Sequence, residues 1–465
     1  MDRRQRNQSG GPLGWDKHPM ADPMWIGMGA LLVSGAAWGW ICAGLSRGGG
    51  GDRLFTILAL WGLTALAAAL VWQESRRQDW VLWALVPIGA AMVLRALCLD
   101  YASGDYNSFL GHWYQYFRGN GGFAAIAGSV GDYNVPYLYF IAAISYLDVP
   151  DLYLYKLFSI LWDVLLAWGC MRLVGSLIRE RQGSAAPLIA FAAALLLPTV
   201  VLNGAYWGQC DVIYGALCIH AAALVLEGRN KTSVALMGLA FTFKLQTVFV
   251  LPLWGVLWLA GRVKFRELWV FPLTYLGVIL PALLMGKPLG DILGIYVTQL
   301  GEYPRLTLNA PSIYQFVPYG LELDQALASR LGIAAAGALV LALLALGLRL
   351  RDRLDRETGM IIAVILCVGV PFFLPHMHER YFFLADVFTL CWACANVRRL
   401  PAAVLAEGSS LACYVVYLRL KYNCILRLGG HTFVMPLEAL AMLGALVMAV
   451  WALARRLQEK HLWRR

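Results

Sequence analysis

Two short polar stretches share the pattern Gly-Asp-Tyr-Asn, at Gly104–Asn107 and at Gly131–Asn134. Transfer of a group to a hydroxyl needs a base within hydrogen-bond reach of that hydroxyl, and a carboxylate can serve as one. Where the reaction inverts the configuration of the carbon under attack, one well-placed base is enough, because no covalent intermediate forms. Asp105 and Asp132 are therefore the candidate catalytic residues. An Asp in such a loop also commonly caps a surface helix, and this alternative stays open.

A second candidate region, Leu374–Phe383, carries charged side chains directly before an aromatic helix start. The guanidinium of Arg380 can hold two oxygens of a phosphate at once. Such a contact matters where phosphate is the leaving group, because negative charge builds on it in the transition state. His376 and His378 can assist. Two alternatives stay open: Arg380 as an anchor at the membrane surface, and a metal site, although structural zinc sites use four ligands and no cysteine is near.

A single lysine interrupts a long apolar stretch. Lys244, in the sequence Phe-Lys-Leu-Gln of Phe243–Gln246, is the only charged residue in residues 232–261. Placing a lysine at membrane depth is costly, so it indicates a functional role. The alternatives are that its charge reaches the membrane surface, or that it pairs with an acidic residue such as Asp211 or Asp163.

The fourth motif, Trp207–Asp211, reads Trp-Gly-Gln-Cys-Asp and follows Asn203. It falls at a turn between two apolar runs. An Asp that begins a helix is commonly a cap, and an aromatic residue at this depth is commonly an interfacial anchor. Asn203, Gln209 and Asp211 together are more polar than anchoring requires, so this turn is predicted to contribute to a site.

The elements that must position these motifs are membrane helices. The chain is 60% hydrophobic and 14% charged, whereas a soluble domain has about 25% charged residues. Apolar runs close to the roughly 20 residues of a membrane-spanning helix recur along the chain. With a short helical hairpin over residues 231–260, they predict an all-α polytopic protein with about 14 transmembrane helices. The other predicted spans are residues 24–46, 54–74, 79–98, 153–178, 185–202, 209–227, 268–285, 329–350, 359–375, 380–396, 401–420 and 432–454.

The basic residues set the expected orientation. The net charge of +10 does not indicate a nucleic-acid partner, because Arg and Lys gather in short loops at alternate ends of the spans, as in cytoplasmic loops. We therefore expect a multi-pass protein of the cell membrane, with a transmembrane domain over residues 24–454 and cytoplasmic tails at 1–23 and 455–465. The basic clusters are Arg3/Arg4/Arg6, Arg76/Arg77, Arg172/Arg179/Arg181, Arg229/Lys231, Arg262/Lys264/Arg266, Arg349/Arg351/Arg353/Arg356, Arg398/Arg399 and Arg455/Arg456/Lys460/Arg464/Arg465.

This orientation leaves two long loops, residues 99–135 and 286–328, on the non-cytoplasmic side, where an active site is expected. Juxtamembrane helices are predicted in the first of them. Residues 136–149 are apolar but short and begin at Pro136. They are predicted to form a half-inserted or juxtamembrane helix rather than a full span.

The four motifs, in their order along the chain, resemble those of GT-C fold glycosyltransferases. The nearest resemblance is to the bacterial family related to the second mannosyltransferase of GPI-anchor synthesis, and the dolichyl-phosphate-glucose-dependent glucosyltransferases look similar. In that family a Gly-Asp-Tyr stretch precedes a His-Trp pair, as Gly104–Tyr106 precedes His112 and Trp113 here. The Asp of that stretch is taken as the base, which implies Asp105.

The other motifs follow the family with some departures, although the bacterial relatives match Trp-Gly-Gln-Cys-Asp, Lys-Leu-Gln and His-Glu-Arg more directly. Its Asp-Tyr-Pro-Pro resembles Asp132–Pro136, with departures at Asn134 and Val135. Its Lys-Gln pair resembles Lys244 and Gln246, and its His-x-His-Glu-Lys resembles residues 376–380, with Arg in place of Lys. The resemblance covers roughly residues 80–400.

The resemblance implies transfer of a hexose, with mannose favoured and glucose possible, from a polyprenyl-phosphate carrier to a glycan or glycolipid acceptor, with inversion. No cofactor and no metal ligand are predicted. The alternatives are a flippase or transporter of polyprenyl-linked sugars, and a non-catalytic scaffold; the middle spans lack the polar path that transport requires. The predicted donor-phosphate contacts are Arg380, His378, Lys244 and His376. The predicted substrate contacts are His112, Trp113, Tyr133, Asn134, Trp207, Gln209, Asp211, Gln246 and Glu379.

Overall fold

The computed structural model describes residues 23–75, 79–179, 183–301, 305–317, 321, 323–419, 425–428 and 431–460. Several predictions fall outside the described residues. These are nearly all of the N-terminal tail, the end of the C-terminal tail, and the basic residues Arg3, Arg4, Arg6, Arg76, Arg77, Arg181, Arg464 and Arg465.

The described residues are mostly helical, which confirms the predicted all-α polytopic class. The α-helices are α1 (Pro23–Ala43), α2 (Gly50–Glu74), α3 (Asp79–Cys98), α4 (Gly111–Gly119), α5 (Val135–Ile144), α6 (Asp151–Leu177), α7 (Ala186–Leu196), α8 (Pro198–Val201), α9 (Asp211–Leu226), α10 (Asn230–Phe243), α11 (Pro252–Leu259), α12 (Phe265–Leu268), α13 (Val270–Leu284), α14 (Leu289–Gly301), α15 (Gln325–Arg349), α16 (Arg356–Phe373), α17 (Phe383–Ala395), α18 (Leu400–Tyr417) and α19 (Pro436–Glu459). Short π-helical segments cover Tyr106–Leu110 and Leu202–Trp207, and 3₁₀ segments cover Gly122–Ala127, Leu245–Phe249, Ile313–Phe316 and Val397–Arg399.

Two pairs of short strands complete the described structure. The strands β1 (Thr307–Leu308) and β2 (Met377–His378) run parallel, and Leu308 lies opposite His378. The strands β3 (Ile425–Leu428) and β4 (His431–Val434) run antiparallel. Because β4 occupies residues that were predicted to open the last span, that helix begins at Pro436 instead of residue 432.

Nine helices of the described residues are long and apolar enough to cross a membrane, and the bent pair α7–α8 adds a tenth if it counts as one span. The remaining apolar helices, such as α9 and α17, are shorter than a typical span. The count of about 14 crossings therefore remains a prediction. The interruption expected near Lys244 is present, because α10 ends at Phe243 and Lys244 adopts an extended backbone.

A buried ion pair stabilises the packing of α3, α6 and α7. Arg95 Nε donates to Asp163 Oδ2 at 2.8 Å, and neither side chain is exposed. The chain bends by 45° between α7 and the segment that begins at Pro198, and the proline has no amide hydrogen to continue the helix. The carbonyl of Leu195, close to this bend, accepts a hydrogen bond from Arg95 at 2.9 Å. Arg95 thus stabilises the bend that leads to the Trp-Gly-Gln-Cys-Asp motif.

The basic loops and the polar motifs lie at opposite ends of the helices. Asp151, in the first turn of α6, accepts a hydrogen bond from Tyr106, the neighbour of Asp105. Arg172 lies 21 residues further along the same helix, which is a distance of about 30 Å. Arg172 forms an ion pair with Glu227 at 2.8 Å. Other contacts at the Arg172 end are made by Arg262 with Leu354, Arg356 with Ser176, and Arg456 with Asp355.

The loop around Asp105 contains the expected short helices. Tyr106–Leu110 and α4 follow Asp105 directly. The next helix, α5, has ten residues, so it is about 15 Å long, half the thickness of the bilayer core. Residues 136–149 are therefore too short to cross the membrane as one helix.

Candidate active site

A cavity of about 960 Å³ lies where the four polar motifs meet. Both loops that were expected on the outer side contribute to it, together with the turns that follow α10 and α16. The predicted site residues that line it are Asp105, Trp113, Asp132, Tyr133, Asn134, Gln209, Lys244, Gln246, His378, Glu379 and Arg380. Residues far apart in the sequence thus form one site.

Asp105 accepts hydrogen bonds from three side chains. Trp207 Nε1 donates to its Oδ2 at 3.0 Å, and Gln209 Nε2 donates to the same oxygen. The hydroxyl of Tyr417 donates to Oδ1 at 3.0 Å. Trp207 is itself held by its carbonyl, which accepts a hydrogen bond from Ser103 at 2.7 Å. The carboxylate therefore has a fixed orientation at the wall of the cavity.

Asp132 lines the same cavity but is exposed. Its neighbour Tyr133 donates to Gln209 Oε1 at 3.0 Å, so the second Gly-Asp-Tyr-Asn stretch is connected to the first through Gln209. Asn134 caps α5 by accepting from Val135 N at 2.7 Å. Trp113 packs edge-on against Tyr133, with ring centroids 5.4 Å apart.

Arg380 lies between two carboxylates. Its Nη1 donates to Glu379 Oε1 at 3.2 Å, and its Nε is 3.6 Å from Asp211 Oδ2, too far for a hydrogen bond. Among the described residues, Nε has no hydrogen-bond acceptor although it is buried. The guanidinium also lies 5.3 Å from the ring centroid of Trp207. Trp207 therefore contacts both Asp105 and Arg380.

Lys244 forms an ion pair with Asp211, one of the two pairings considered from the sequence. Its other possible partner, Asp163, pairs with Arg95 instead. Asp211 is completely buried and also accepts a hydrogen bond from Asn203 at 2.8 Å. Asp211 therefore lies behind the cavity wall and connects the two cations that the cavity presents, Lys244 and Arg380.

The loop between α16 and α17 carries two residues with altered protonation. Burial raises the pKa of Glu379 to about 7, although the charge of Arg380 opposes this effect. Burial also lowers the pKa of His378 to about 3, and the positive charges of Arg380 and Lys244 act in the same direction. At neutral pH His378 is therefore uncharged, and Glu379, with a pKa of about 7, is partly protonated.

The pairing of β1 with β2 brings the loop of residues 305–309 to the cavity. His376 Nδ1 lies 2.7 Å from the carbonyl oxygen of Arg305, to which it donates when protonated there. His376 and Asn309 both adopt positive φ angles, 62° and 64°, a conformation that is uncommon outside glycine. The Arg305 side chain lines the cavity and forms no ion pair with any other residue that the structure describes.

Four predicted site residues do not line the cavity. His112 is exposed and lies with Nδ1 3.2 Å from the carbonyl oxygen of Ser108. His376 is engaged with the backbone of Arg305. Trp207 and Asp211 are buried behind the wall and act on Asp105, Lys244 and Arg380.

Several cavity residues were not identified from the sequence. Tyr417 lies at the end of α18 and belongs to none of the four motifs, so only its contact with Asp105 reveals it. The hydroxyl of Tyr296 accepts a hydrogen bond from Asn134 Nδ2 at 2.7 Å and donates one to the carbonyl of Phe241. Further lining residues that were not predicted include Asn309, Tyr314, Gln315, Gln325 and Tyr381.

Comparison with known families identifies a family that the chain matches. The model of glycosyltransferase family 87 matches residues 133–375, more than half of the chain. The match begins just after Asp132 and ends just before His376, so it includes Lys244 and Asp211 but excludes Asp105 and Arg380. A search of curated proteins finds no match.

Proposed function

The chain belongs to glycosyltransferase family 87, a GT-C-type family of membrane enzymes, and from this premise we propose that it transfers a hexose from a polyprenyl-phosphate carrier to a lipid-linked or surface glycan. The sugar we propose is mannose, with glucose as the second choice, because the motifs resemble those of mannosyltransferases. Family membership does not favour the flippase alternative.

The observation that carries this proposal is the shared cavity. It places a carboxylate held by three donors together with Lys244 and Arg380, two cations able to bind phosphate. A reaction that removes a proton from a hydroxyl and releases a phosphate needs both groups within reach of one substrate.

The proposed reaction is a single displacement. Asp105 accepts the proton of an acceptor hydroxyl while that oxygen attacks the anomeric carbon. The bond from this carbon to the phosphate oxygen breaks, and its electron pair stays on the phosphate, so that polyprenyl phosphate leaves. Attack from the opposite side inverts the anomeric centre.

Arg380 and Lys244 act on the leaving group. Negative charge develops on the phosphate as the bond breaks, and preorganised cations stabilise it. The buried Nε of Arg380 has no acceptor among the described residues, which suits a phosphate oxygen. Uncharged His378 can donate one further hydrogen bond to the phosphate.

We propose that the cavity faces the non-cytoplasmic side. The basic residues of the described helix ends gather at the opposite end, where Arg172, Arg262 and Arg456 lie, and such residues favour the cytoplasm. Single cysteines at positions 305 and 353, on a background without native cysteines, test this. Labelling of intact cells is expected at position 305 and not at 353; the reverse pattern overturns the orientation.

The enzymatic proposal is tested with purified protein in detergent or vesicles. It is offered polyprenyl-phospho-mannose and polyprenyl-phospho-glucose, each labelled in the sugar, with a glycolipid acceptor extract. Label is expected to move from the mannosyl donor to the acceptor and to remain on the donor with Asp105→Asn. No transfer from either donor by a correctly folded wild-type protein contradicts the proposed donor class.

A further inference from the structure

The three donors to Asp105 divide unequally between its two oxygens. Trp207 Nε1 and Gln209 Nε2 both donate to Oδ2. Oδ1 receives only Tyr417, whose hydroxyl lies 3.0 Å away. A carboxylate has about two acceptor positions on each oxygen. Oδ2 is therefore fully occupied by hydrogen bonds, whereas Oδ1 keeps one position for a further donor.

From this division we infer that Oδ1 of Asp105 is the atom that receives the proton of the acceptor hydroxyl, and that Tyr417 is the positioning residue that holds Oδ1 in place. The inference rests on the proposed function, because it presupposes a hydroxyl that loses its proton in the cavity. Tyr417 acts through Asp105, so it is a positioning residue and not a catalytic residue.

Tyr417 is well held for this task. Its ring stacks on Trp207 with centroids 4.6 Å apart and planes 25° from parallel. Trp207 is 1% exposed and its carbonyl accepts from Ser103, so the surface under Tyr417 is rigid. The side chain of Tyr417 is 40% exposed and lines the cavity, so an acceptor that reaches Asp105 passes beside it.

A tyrosine at the end of a membrane helix has a simpler explanation as an interfacial anchor. The two roles differ in what the hydroxyl does. An anchor needs the ring and tolerates phenylalanine, whereas the positioning role requires the hydrogen bond to Oδ1. Tyr417→Phe keeps the stack on Trp207 and removes only that bond, so it separates the two roles.

A hydrogen bond to a charged group contributes enough that its loss is expected to lower kcat about tenfold or more in Tyr417→Phe. The KM for the donor should stay near the wild-type value, because among the described residues the Tyr417 hydroxyl is hydrogen-bonded to Asp105 and not to Arg380 or Lys244. The acid limb of the pH–rate profile should move to higher pH, since a lost donor destabilises the charged carboxylate that acts as the base.

Another group can titrate near Asp105 and must be separated from it. Glu379 faces Asp105 from the loop between α16 and α17 and has a pKa raised to about 7. Arg380, beside Glu379, stays charged throughout this range. The pH–rate profile is therefore measured on the Glu379→Gln background, with and without Tyr417→Phe, so that the shift belongs to the carboxylate of Asp105.

Tyr414 provides a matched control on the same helix. Its ring packs edge-on against Trp207, with centroids 5.5 Å apart and planes 88° apart. Its hydroxyl accepts from Asn203 Nδ2 at 3.0 Å and makes no bond to Asp105. Tyr414→Phe therefore removes a phenolic hydroxyl beside Trp207 and should leave the acid limb in place.

The measurement has three informative outcomes. A lower kcat with a shifted acid limb in Tyr417→Phe, and no shift in Tyr414→Phe, supports the inference. A wild-type kcat and acid limb in Tyr417→Phe, or a change confined to the donor KM, overturns it and leaves Tyr417 as an anchor or a substrate contact. If the wild-type protein transfers no sugar from either donor, the proposed function fails instead, and that result is distinct.

Discussion

Asp105 and Arg380 line the same cavity, but different kinds of neighbouring group stabilise their charges. Asp105 is held by Trp207, Gln209 and Tyr417, all of them neutral donors. Arg380 is flanked by Glu379 and Asp211, two carboxylates. The wall around Asp105, called the first wall, thus stabilises a charge with neutral dipoles. The wall around Arg380 and Lys244, called the second wall, stabilises charges with opposite charges.

The difference follows from where each group lies. Asp105 is partly exposed, so neutral donors suffice to orient it and leave its negative charge available to a proton. The side chains of Lys244 and Arg380 are only 6% and 13% exposed, and buried cations need partners. Asp211 supplies that partner to both, so the wall is stable before a donor phosphate arrives.

The largest expected effect comes from breaking the first wall. Asp105→Asn keeps the size of the side chain and most of its contacts but removes the proton acceptor. General-base catalysis contributes about 100- to 10,000-fold, so turnover should fall at least 100-fold. Donor affinity should persist, because the second wall is unchanged. Initial rates of sugar transfer and equilibrium binding of the donor measure the two effects.

Asp132→Asn is the matched control, since Asp132 lines the same cavity on the second Gly-Asp-Tyr-Asn stretch. Its exposed carboxylate is expected to affect turnover far less. Near-normal turnover in Asp105→Asn together with loss in Asp132→Asn would transfer the role of base to Asp132. Normal turnover in both variants would contradict the catalytic proposal.

Breaking the second wall should act on binding as well as on rate. Arg380→Ala removes the proposed contact to the leaving phosphate, and loss of one such stabilising group costs about 100-fold in rate. If the same contact is made in the ground state, donor affinity should fall too. Arg380→Lys should be intermediate, since an ammonium keeps the charge without the two-pronged geometry.

The result also decides which cation contacts the phosphate. Arg305 lines the cavity and has no ion pair among the described residues, so Arg305→Ala is the comparison. If Arg380→Ala leaves donor affinity and turnover unchanged while Arg305→Ala lowers both, the donor phosphate binds on the side of the 305–309 loop. Arg380 would then be a structural anchor.

The sequence predicted the helical membrane class and the meeting of its motifs well, for a physical reason. Long apolar runs have few alternatives in a bilayer, since every backbone polar group must be bonded within a helix. Polar residues such as Lys244 and Asp211 are costly among apolar spans, so the positions at which they interrupt the pattern predict where they gather. Which of these residues take part in function remains a prediction.

Other features depend on contacts that no local pattern records. Tyr417 reaches Asp105 across 312 residues, and it belongs to none of the four motifs that were identified from the sequence. The pairing of Leu308 with His378 joins two loops that each lack a strand pattern. His376 and His378 are separated by one residue, yet the first contacts the backbone of Arg305 and only the second lines the cavity. Spacing alone does not distinguish them.

The smallest expected effect sharpens the comparison through pH. Burial raises the pKa of Glu379 to about 7 from its usual value near 4.5. Below that pH Glu379 is protonated and neutral, so the wall around Arg380 and Lys244 carries more positive charge. As pH rises through about 7, Glu379 ionises and competes with the donor phosphate for the guanidinium. Donor affinity should therefore decrease severalfold between pH 6 and pH 8.

Glu379→Gln removes this titration and keeps the side chain nearly the same size. In this variant donor affinity should stay at or above the low-pH value of the wild type and change little across the same range. The first wall should behave differently, because Asp105 is oriented by neutral donors and does not compete with the phosphate for a cation. Tyr417→Phe should therefore leave the pH dependence of donor binding intact while it changes turnover. Equilibrium titration of the donor at a series of pH values measures both variants. If Glu379→Gln keeps the full wild-type pH dependence of donor affinity, Glu379 does not compete with the phosphate for Arg380. The second wall is then not the source of that pH dependence.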